Sequence, residues 1–530
     1  MTQRRKIFIY DTTLRDGSQG EGISFSGASK LQLALKMDEF GVDYIEGGYA
    51  GSNPKDMEFF HEIRKHQLKH AKIAAFGSTR RPDIAVGEDA NVLRLIESKA
   101  PVTTLFGKTW KLHVSEVLRT TVDENRRMVA ETVKYLKHHG REVIFDAEHF
   151  FDGYKDSPEF AMDVLKAAVE AGADSLVLCD TNGGSLPHEV FGITVEVVKT
   201  FGVPVGIHAH NDSGLAVASS LEAIRAGAVQ VQGTINGFGE RTGNANLCSI
   251  IPALELKMGC RAIPDGHLKQ LRALSIFTDD LVNLRHDTKA PYVGTSSFSH
   301  KAGMHVNAVQ KNPASFEHIT PESVGNERRI LISEGSGTSS VLLKAIEMGV
   351  DLKKSSPEVK EILEALKSLE KQGYAYETAD ASFRMLVQKL LKKHKSFFEL
   401  EGFRVIVEKG GKDEPCVSEA SVKVRVGDEV EHTVAEGDGP VNALDRALRK
   451  ALARFYPEIE KVFLTDYRVR ILDPEEATAA KTRVIIESSD GERHWGTVGV
   501  SVNIIEASWE ALVDSVEYKL FREEERHERT

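Results

Sequence analysis

The sequence predicts a (β/α)8 TIM barrel, an α/β fold, followed by a helical connecting subdomain and a C-terminal α+β domain. Three observations carry this. Over residues 6–260, eight short apolar, β-branched runs alternate with amphipathic segments, and eight such pairs in about 250 residues is the arithmetic of a barrel. The rival, a doubly wound open sheet, would show a Gly-rich dinucleotide fingerprint after its first strand; DTTLRDGSQ stands there instead. Beyond Gly259 the rhythm stops, and strand-like alternation returns only from Phe397.

In order, the strand runs are KIFIYDTT from Lys6, VDYIEGG from Val42, KIAAFGS from Lys72 and VTTLFGK from Val102. They continue with EVIFDAE from Glu142, DSLVLCDT from Asp174, PVGIHAHND from Pro204 and VQVQGTING from Val229. Between them lie helical segments such as SKLQLALKMDEFG from Ser29 and DENRRMVAETVKYLKHHG from Asp123, each ending in Gly as a helix C-terminus should. The entry SNPKDMEFF offers Ser52 or Asn53 as cap, with Pro54 in the first turn, where its missing N–H costs little. Residues 265–345 mix helix-like stretches with a polar segment, TSSFSHKAGMHVNAV, and 356–396 read as two charged amphipathic helices. From Phe397, FRVIVEK, ASVKVRV, DYRVRILD, TRVIIESS and WGTVGVSV read as strands, with GPVNALDRALRKALARFYPEI and SWEALVDSVEYKLFREEE as helices. EEERHERT reads as a solvated tail. The domains expected are 1–275, 276–396 and 397–530.

Composition agrees and excludes some classes. At ~150 residues per domain, 530 residues argue for two to four domains, and 41% hydrophobic with 28% charged residues is ordinary globular usage. No stretch approaches the ~20 apolar residues of a membrane span, so no membrane association is expected. The amino-terminal MTQRRKIFIYDTTLRDGSQ runs from two arginines into a strand and a polar turn, which is not a signal-peptide pattern. Four scattered cysteines match neither a disulfide framework nor a zinc ribbon; a cytoplasmic setting is expected. A net charge of −11 disfavours a nucleic-acid partner, while leaving room for a local basic pocket.

In a barrel, function sits at the carboxyl ends of the strands. There the sequence places Asp11, Thr12, Arg15 and Asp16, then Glu46, Glu148, Asp180 and Thr181. His208 and His210 follow, then Asn236 and the loop GERTGNAN with Glu240, Arg241 and Asn244. Residues i and i+2 of a strand share a face, so His208 and His210 enter the barrel mouth together. With a carboxylate from Asp16 they make a three-point site for a divalent cation, and the Asn244 amide oxygen is a further or outer ligand. Nitrogen and oxygen donors without thiolate suit Mn, Mg, Co or Zn alike. Blander readings exist for each group. The histidines could be a hydrogen-bonded buried pair, Arg15 and Asp16 a salt bridge, Glu148 a structural carboxylate, and the loop glycines only a tight turn. Cys179 and Cys248 read as buried packing residues, and Trp110 as packing or ligand contact.

DTTLRDGSQ, HAHND and GERTGNANL together resemble the metal-dependent aldol-type acyl-CoA enzymes, which include 2-isopropylmalate, homocitrate and citramalate synthases. KAGMHVNAVQKNPASFEHITPESVGNERRILIS resembles their connecting subdomain, and the terminal α+β domain resembles their allosteric, dimerising amino-acid-binding domain. GGYAGSNPKDMEFF, AFGSTRRP and FGKTWKLHV are most similar to citramalate synthases of the long, isoleucine-pathway type.

The resemblance implies a homodimer that condenses acetyl-CoA with pyruvate and water, giving citramalate and CoA, under a branched-chain amino acid effector. It implies that Arg15 stabilises negative charge on an oxygen, that Glu148 orients substrate or base, and that Thr181 binds the substrate carboxylate. His305 would join the catalytic group from the connecting subdomain. Arg15, Lys108 and Arg241 could meet carboxylates and CoA phosphates. Close relatives often carry a tyrosine where Phe316 stands here, and Tyr292 is the candidate to replace its hydroxyl. A 2-isopropylmalate synthase using 2-oxoisovalerate, or a homocitrate synthase, is the near rival. A 3-hydroxyacyl-CoA lyase of the same fold typically has a Cys in the mouth loop, which GERTGNAN lacks. A non-catalytic sensor would not need the complete ligand set. GDGPVNALDRALRKAL opens a helix at a Gly-rich turn, either a carboxylate site for the effector or a packing turn.

Overall fold

The computed structural model describes residues 4–51, 54–301, 303–331, 357–376 and 378–529. Eight parallel strands close into a barrel in chain order: β1 (Phe8–Asp11), β2 (Tyr44–Tyr49), β3 (Lys72–Ser78), β4 (Val102–Lys108), β5 (Glu142–Glu148), β6 (Ser175–Asp180), β7 (Val205–Ala209) and β8 (Gln230–Gly233). Closure is made by β8 against β1, Phe8 opposite Gln230 and Asp11 opposite Gly233. Each expected strand is present. The helices outside them form because their apolar positions repeat at helical spacing and their ends are capped. Ser26 accepts from the Ser29 N–H ahead of the helix Gly27–Phe40, and Thr121 accepts from the Glu124 N–H ahead of Val122–His138. Gly41, at φ 101°, ends the first of these in the left-handed conformation that favours glycine. The proposed caps Ser52 and Asn53 lie outside the described residues; the helix itself runs Pro54–Ile63.

The chain divides into two compact units. One holds the barrel through Phe298 together with His318–Arg328; the other holds Ser299–Glu317 and the chain from Arg329 onward. In the second unit, two three-stranded antiparallel sheets each carry a helix. Glu399–Lys409, Cys416–Val426 and Glu429–Gly437 go with the helix Pro440–Ala453. Phe463–Ile471, Thr482–Ser489 and His494–Ser501 go with Ile504–Arg529. Ala420, Val422, Leu444, Leu448, Val484 and Leu512 meet in one shared core.

Two expectations on this unit fail. Glu429–Gly437 (EVEHTVAEG) was not expected as a strand. It is an edge strand, paired among the described residues to Cys416–Val426, and its hydrophobicity does not follow its burial: Val430 and Val434 are exposed, while Glu431 is half-buried and Thr433 buried. The segment EEERHERT is not a free tail: helix continues to Arg529. It is tied down there by Arg384–Glu525 at 2.6 Å and Lys395–Glu524 at 2.5 Å. The two charged helices form, as Pro357–Lys371 and Asp380–Leu390. Val359, Ile362, Phe383 and Val387 pack with Val498, Ile485 and Val500 of the second sheet. Among the described residues, no helix is long and apolar enough to cross a membrane.

Candidate metal and substrate site at the barrel mouth

The site begins in the turn after β1. Asp11 is fully buried and accepts from the Thr13 N–H and hydroxyl, both at 2.9 Å, and the Thr13 hydroxyl oxygen accepts from the Ile235 N–H at 2.9 Å. This stitches the turn to the end of β8, so Asp11 is spent on structure, while Arg15 and Asp16 beyond it reach the mouth. Asp16 Oδ2 lies 3.2 Å from His208 Nε2 and 3.7 Å from His210 Nε2, and the two ring nitrogens are 3.4 Å apart. All three residues are buried.

The Asn244 amide nitrogen donates to the Phe238 carbonyl at 3.3 Å, leaving its Oδ1 buried without a partner. Backbone pairing of Asn244 with His210 holds it to the end of β7. The loop can make this approach only with glycine at 239: φ is 154°, and a Cβ would sit 2.1 Å from Asn244 Nδ2. His210 Nδ1 is a second buried atom without a partner.

Burial alone would raise the Asp16 carboxyl, but Arg15 and the two imidazoles more than offset it, holding it well below the usual range. His210 is pushed down to about 4, by burial and then by the charge of His208. A carboxylate, two imidazoles and an orphaned amide oxygen are therefore gathered at one buried end of the barrel. Buried lone pairs without donors are costly, and this donor set fits a divalent cation.

Arg15 is clamped: Nε donates to Glu46 Oε2 at 2.6 Å, and its guanidinium lies over the Phe76 ring at 3.7 Å. Fully buried Glu46 also accepts from the Tyr10 hydroxyl at 2.8 Å. Glu148 is paired with Lys108. The Thr181 hydroxyl oxygen accepts from the His149 N–H at 2.9 Å, which leaves its own proton to donate. Together with Asp16 and the histidines, Arg15, Glu148 and Thr181 line one cavity of about 210 Å³.

Phe76, Phe106 and Asp146 also line that cavity and were not singled out from sequence. Asp146 could have been, since it shares a strand face with Glu148. Burial pushes its carboxyl up to about 7 against the opposing pull of His208. Arg241 is turned onto Asp212 at 2.7 Å and the Thr181 carbonyl at 2.7 Å, and Lys108 onto Glu148, so both cations are already partnered. Asn236 is drawn to the helix Leu271–Leu281, donating to the Ser275 carbonyl and Asp279 at 2.8 Å each. His305 belongs to the second unit, on the helix Gly303–Lys311, with Phe316 stacked on its ring at 4.2 Å. Tyr292 stands edge-on to His318 at 5.3 Å. Cys179 and Cys248 are buried, and Trp110 stacks on His113 at 5.3 Å.

Three family models match the chain: HMGL-like over residues 6–277, homocitrate synthase post-HMGL domain-like over 292–374, and LeuA allosteric (dimerisation) domain over 377–520. An (R)-citramalate synthase of Aquifex aeolicus (strain VF5) is 54% identical over 521 residues, covering 98% of this chain and 99% of that protein. Another from Geobacter sulfurreducens is 54% identical, covering 98% of each. A 2-isopropylmalate synthase of Methanocaldococcus jannaschii is 32% identical, covering 98% of this chain and 96% of that protein. The chain therefore belongs to the HMGL-like family, in the group it shares with the (R)-citramalate synthases.

Proposed function

We propose that this protein is a citramalate-forming acyltransferase, condensing acetyl-CoA with pyruvate and water to give citramalate and free CoA. The observation that carries the reading is the joining of Asp16, His208, His210, Arg15, Glu148 and Thr181 around one cavity, in a chain about half identical to (R)-citramalate synthases. Asp16, His208 and His210 would hold a divalent cation, with Asn244 beside them. When bound, the cation supplies Lewis-acid polarisation of a chelated 2-oxo acid.

The chain's own residues do the rest. Arg15, fixed by Glu46 and Phe76, meets the negative charge that grows on the attacked carbonyl oxygen, an interaction worth most when the donor is preorganised. The Thr181 hydroxyl, its oxygen already engaged by the His149 N–H, donates to the substrate carboxylate. Glu148, held by Lys108, orients substrate or the base that takes the proton from the acetyl methyl as its enolate forms. His305, on the connecting subdomain, serves a catalytic group, in its own barrel or in that of a neighbouring subunit. The enolate carbon bonds to the keto carbon; water then cleaves the thioester of the product, releasing the CoA thiol and a carboxylate.

On this reading residues 1–275 are catalytic, 276–396 connect, and 397–530 regulate. Two copies pair, isoleucine is the effector, and the setting is the cytoplasm. The test is thiol release from acetyl-CoA with a panel of 2-oxo acids, with and without isoleucine or leucine. Highest turnover on pyruvate, lowered by isoleucine, is expected. Preference for 2-oxoisovalerate with leucine control would make the protein a 2-isopropylmalate synthase.

A further inference from the structure

A hydrogen-bond chain behind His208 gives work to two residues the reaction above does not use. His208 Nδ1 lies 2.9 Å from Gln232 Oε1, and Gln232 Nε2 donates to Asp146 Oδ1 at 3.0 Å. Gln232 is fully buried, and Asp146 and His208 are 3% and 5% exposed. The three come from β8, β5 and β7, and His208 and Gln232 are direct partners across the β7–β8 pairing. The β7–β8 pairing and the approach of β8 to β5 inside the barrel therefore build the chain.

A primary amide has a donor end and an acceptor end, and the end that faces an imidazole decides its tautomer. An ionised carboxylate only accepts, so Asp146 draws the Gln232 NH2 group toward itself. The amide oxygen is then left for His208 and Nδ1 must keep a ring proton, so that Nε2 is the nitrogen that gives up its proton when a cation enters. Nε2 is the nitrogen that faces Asp16 and His210. With the amide reversed, its NH2 would meet Nδ1, and the ring proton would move to Nε2 and block the cation.

We propose that Asp146 and Gln232 are positioning residues for the metal site: Asp146 orients the Gln232 amide, and Gln232 fixes His208 with Nδ1 protonated and Nε2 free to ligate a divalent cation. This rests on the reading of Asp16, His208 and His210 as ligands. Partners that set the tautomer of a ligating histidine commonly contribute 10–100-fold in metal affinity.

The test is calorimetric titration of the full-length, metal-stripped protein with Mn²⁺, without substrates, at pH 8. It is paired with ¹⁵N spectra of the metal-free protein that report whether His208 Nδ1 carries a proton. Gln232→Leu and Asp146→Asn are each expected to weaken Mn²⁺ binding about 10–100-fold, and to lower the share of His208 rings that carry a proton on Nδ1. The double Asp146→Asn/Gln232→Glu rebuilds the polarity, since the new amide donates to the new carboxylate, which accepts from Nδ1–H. It should return affinity to within a few-fold of the parent. Parental affinity and Nδ1 protonation in Asp146→Asn, or no recovery in a folded double variant, overturns the proposal. His208→Ala separates the two readings: loss of Mn²⁺ binding there, with no change in the other variants, defeats only the positioning role. Unchanged binding in His208→Ala defeats the metal reading itself.

Discussion

Arg15 shows how a residue acquires a role from its neighbours. A guanidinium in a turn would ordinarily sample many rotamers, but Glu46 fixes Nε at 2.6 Å and Phe76 covers its face. A preorganised cation is the condition for a large electrostatic contribution. Arg15→Ala is expected to lower kcat for thiol release by roughly 10²–10³-fold, the range for losing one such donor. Metal binding should stay within a few-fold of the parent, because Arg15 holds the site without ligating it. A loss of metal binding equal to the loss in rate would show that Arg15 only supports the ligands. His208→Ala is expected to abolish the rise in thermal midpoint that Mn²⁺ gives the parent, since binding to the native state alone stabilises it. An undiminished rise would count against the ligand set. The positions of Arg15, Asp16, His208 and His210 were legible because strand ends are legible. The clamps on them were not, because Glu46 and Phe76 are 31 and about 60 residues away and meet Arg15 only after strands pair.

At the scale of elements, the second strand carries a device that keeps Glu46 in place. A register shift between Glu46 and Gly48 bends β2. The bend is braced by a buried ion pair, Lys30 Nζ to Asp56 Oδ1 at 2.5 Å, with the Tyr49 N–H donating to Asp56 Oδ2 at 3.0 Å. Gly48 sits at φ 157°, and a Cβ there would fall 2.3 Å from Asp56 Cγ. Removing one partner leaves a buried charge unpaired, which costs about 3–5 kcal/mol. Lys30→Ala should therefore lower stability by that order, and Lys30→Met combined with Asp56→Leu by clearly less. Denaturant unfolding of the single and double variants measures the difference.

A second element-scale prediction concerns the turn before His494–Ser501. Burial would raise the Asp490 carboxyl, but Lys519 at 2.8 Å and the N–H groups of Arg493 and Glu492 more than offset it, holding it at about 2. A carboxyl depressed from about 3.9 in the unfolded chain contributes stability above that value, and the contribution fades as pH falls toward about 2. Asp490→Asn should lower the thermal midpoint at pH 7, and its difference from the parent should shrink between pH 4 and 2. A pH-independent difference would remove this account. These elements were legible as strands and helices. Glu429–Gly437 was not, because at this sheet edge Val430 and Val434 face solvent and Glu431 is half-buried, so alternation carries little hydrophobic signal.

For the whole molecule, the helices Pro357–Lys371 and Asp380–Leu390 read from sequence as part of a connector, yet they bury Val359, Ile362 and Phe383 with Val498 of the last strand. A chain ended after Ser396 would keep both helices and lose their cover. It is expected to aggregate where the full chain does not, with size-exclusion chromatography as the measurement; a monodisperse product would contradict this packing account.

The sequence by itself determined the (β/α)8 barrel, the terminal α+β domain and which polar residues stand at the strand ends. Those are local properties, written in periodicity, caps and turn residues. Strand order already grouped Asp16, His208 and His210 at one rim; only the tertiary structure decided their distances and which other groups join them. It sent Asp11, Asn236 and Arg241 to structural partners, and brought Asp16, His208 and His210 to within hydrogen-bond range. It also placed Gln232 and Asp146 behind His208. The reason is that a side chain's partner is set by strand pairing and barrel closure, which join residues hundreds of positions apart and leave no pattern along the chain.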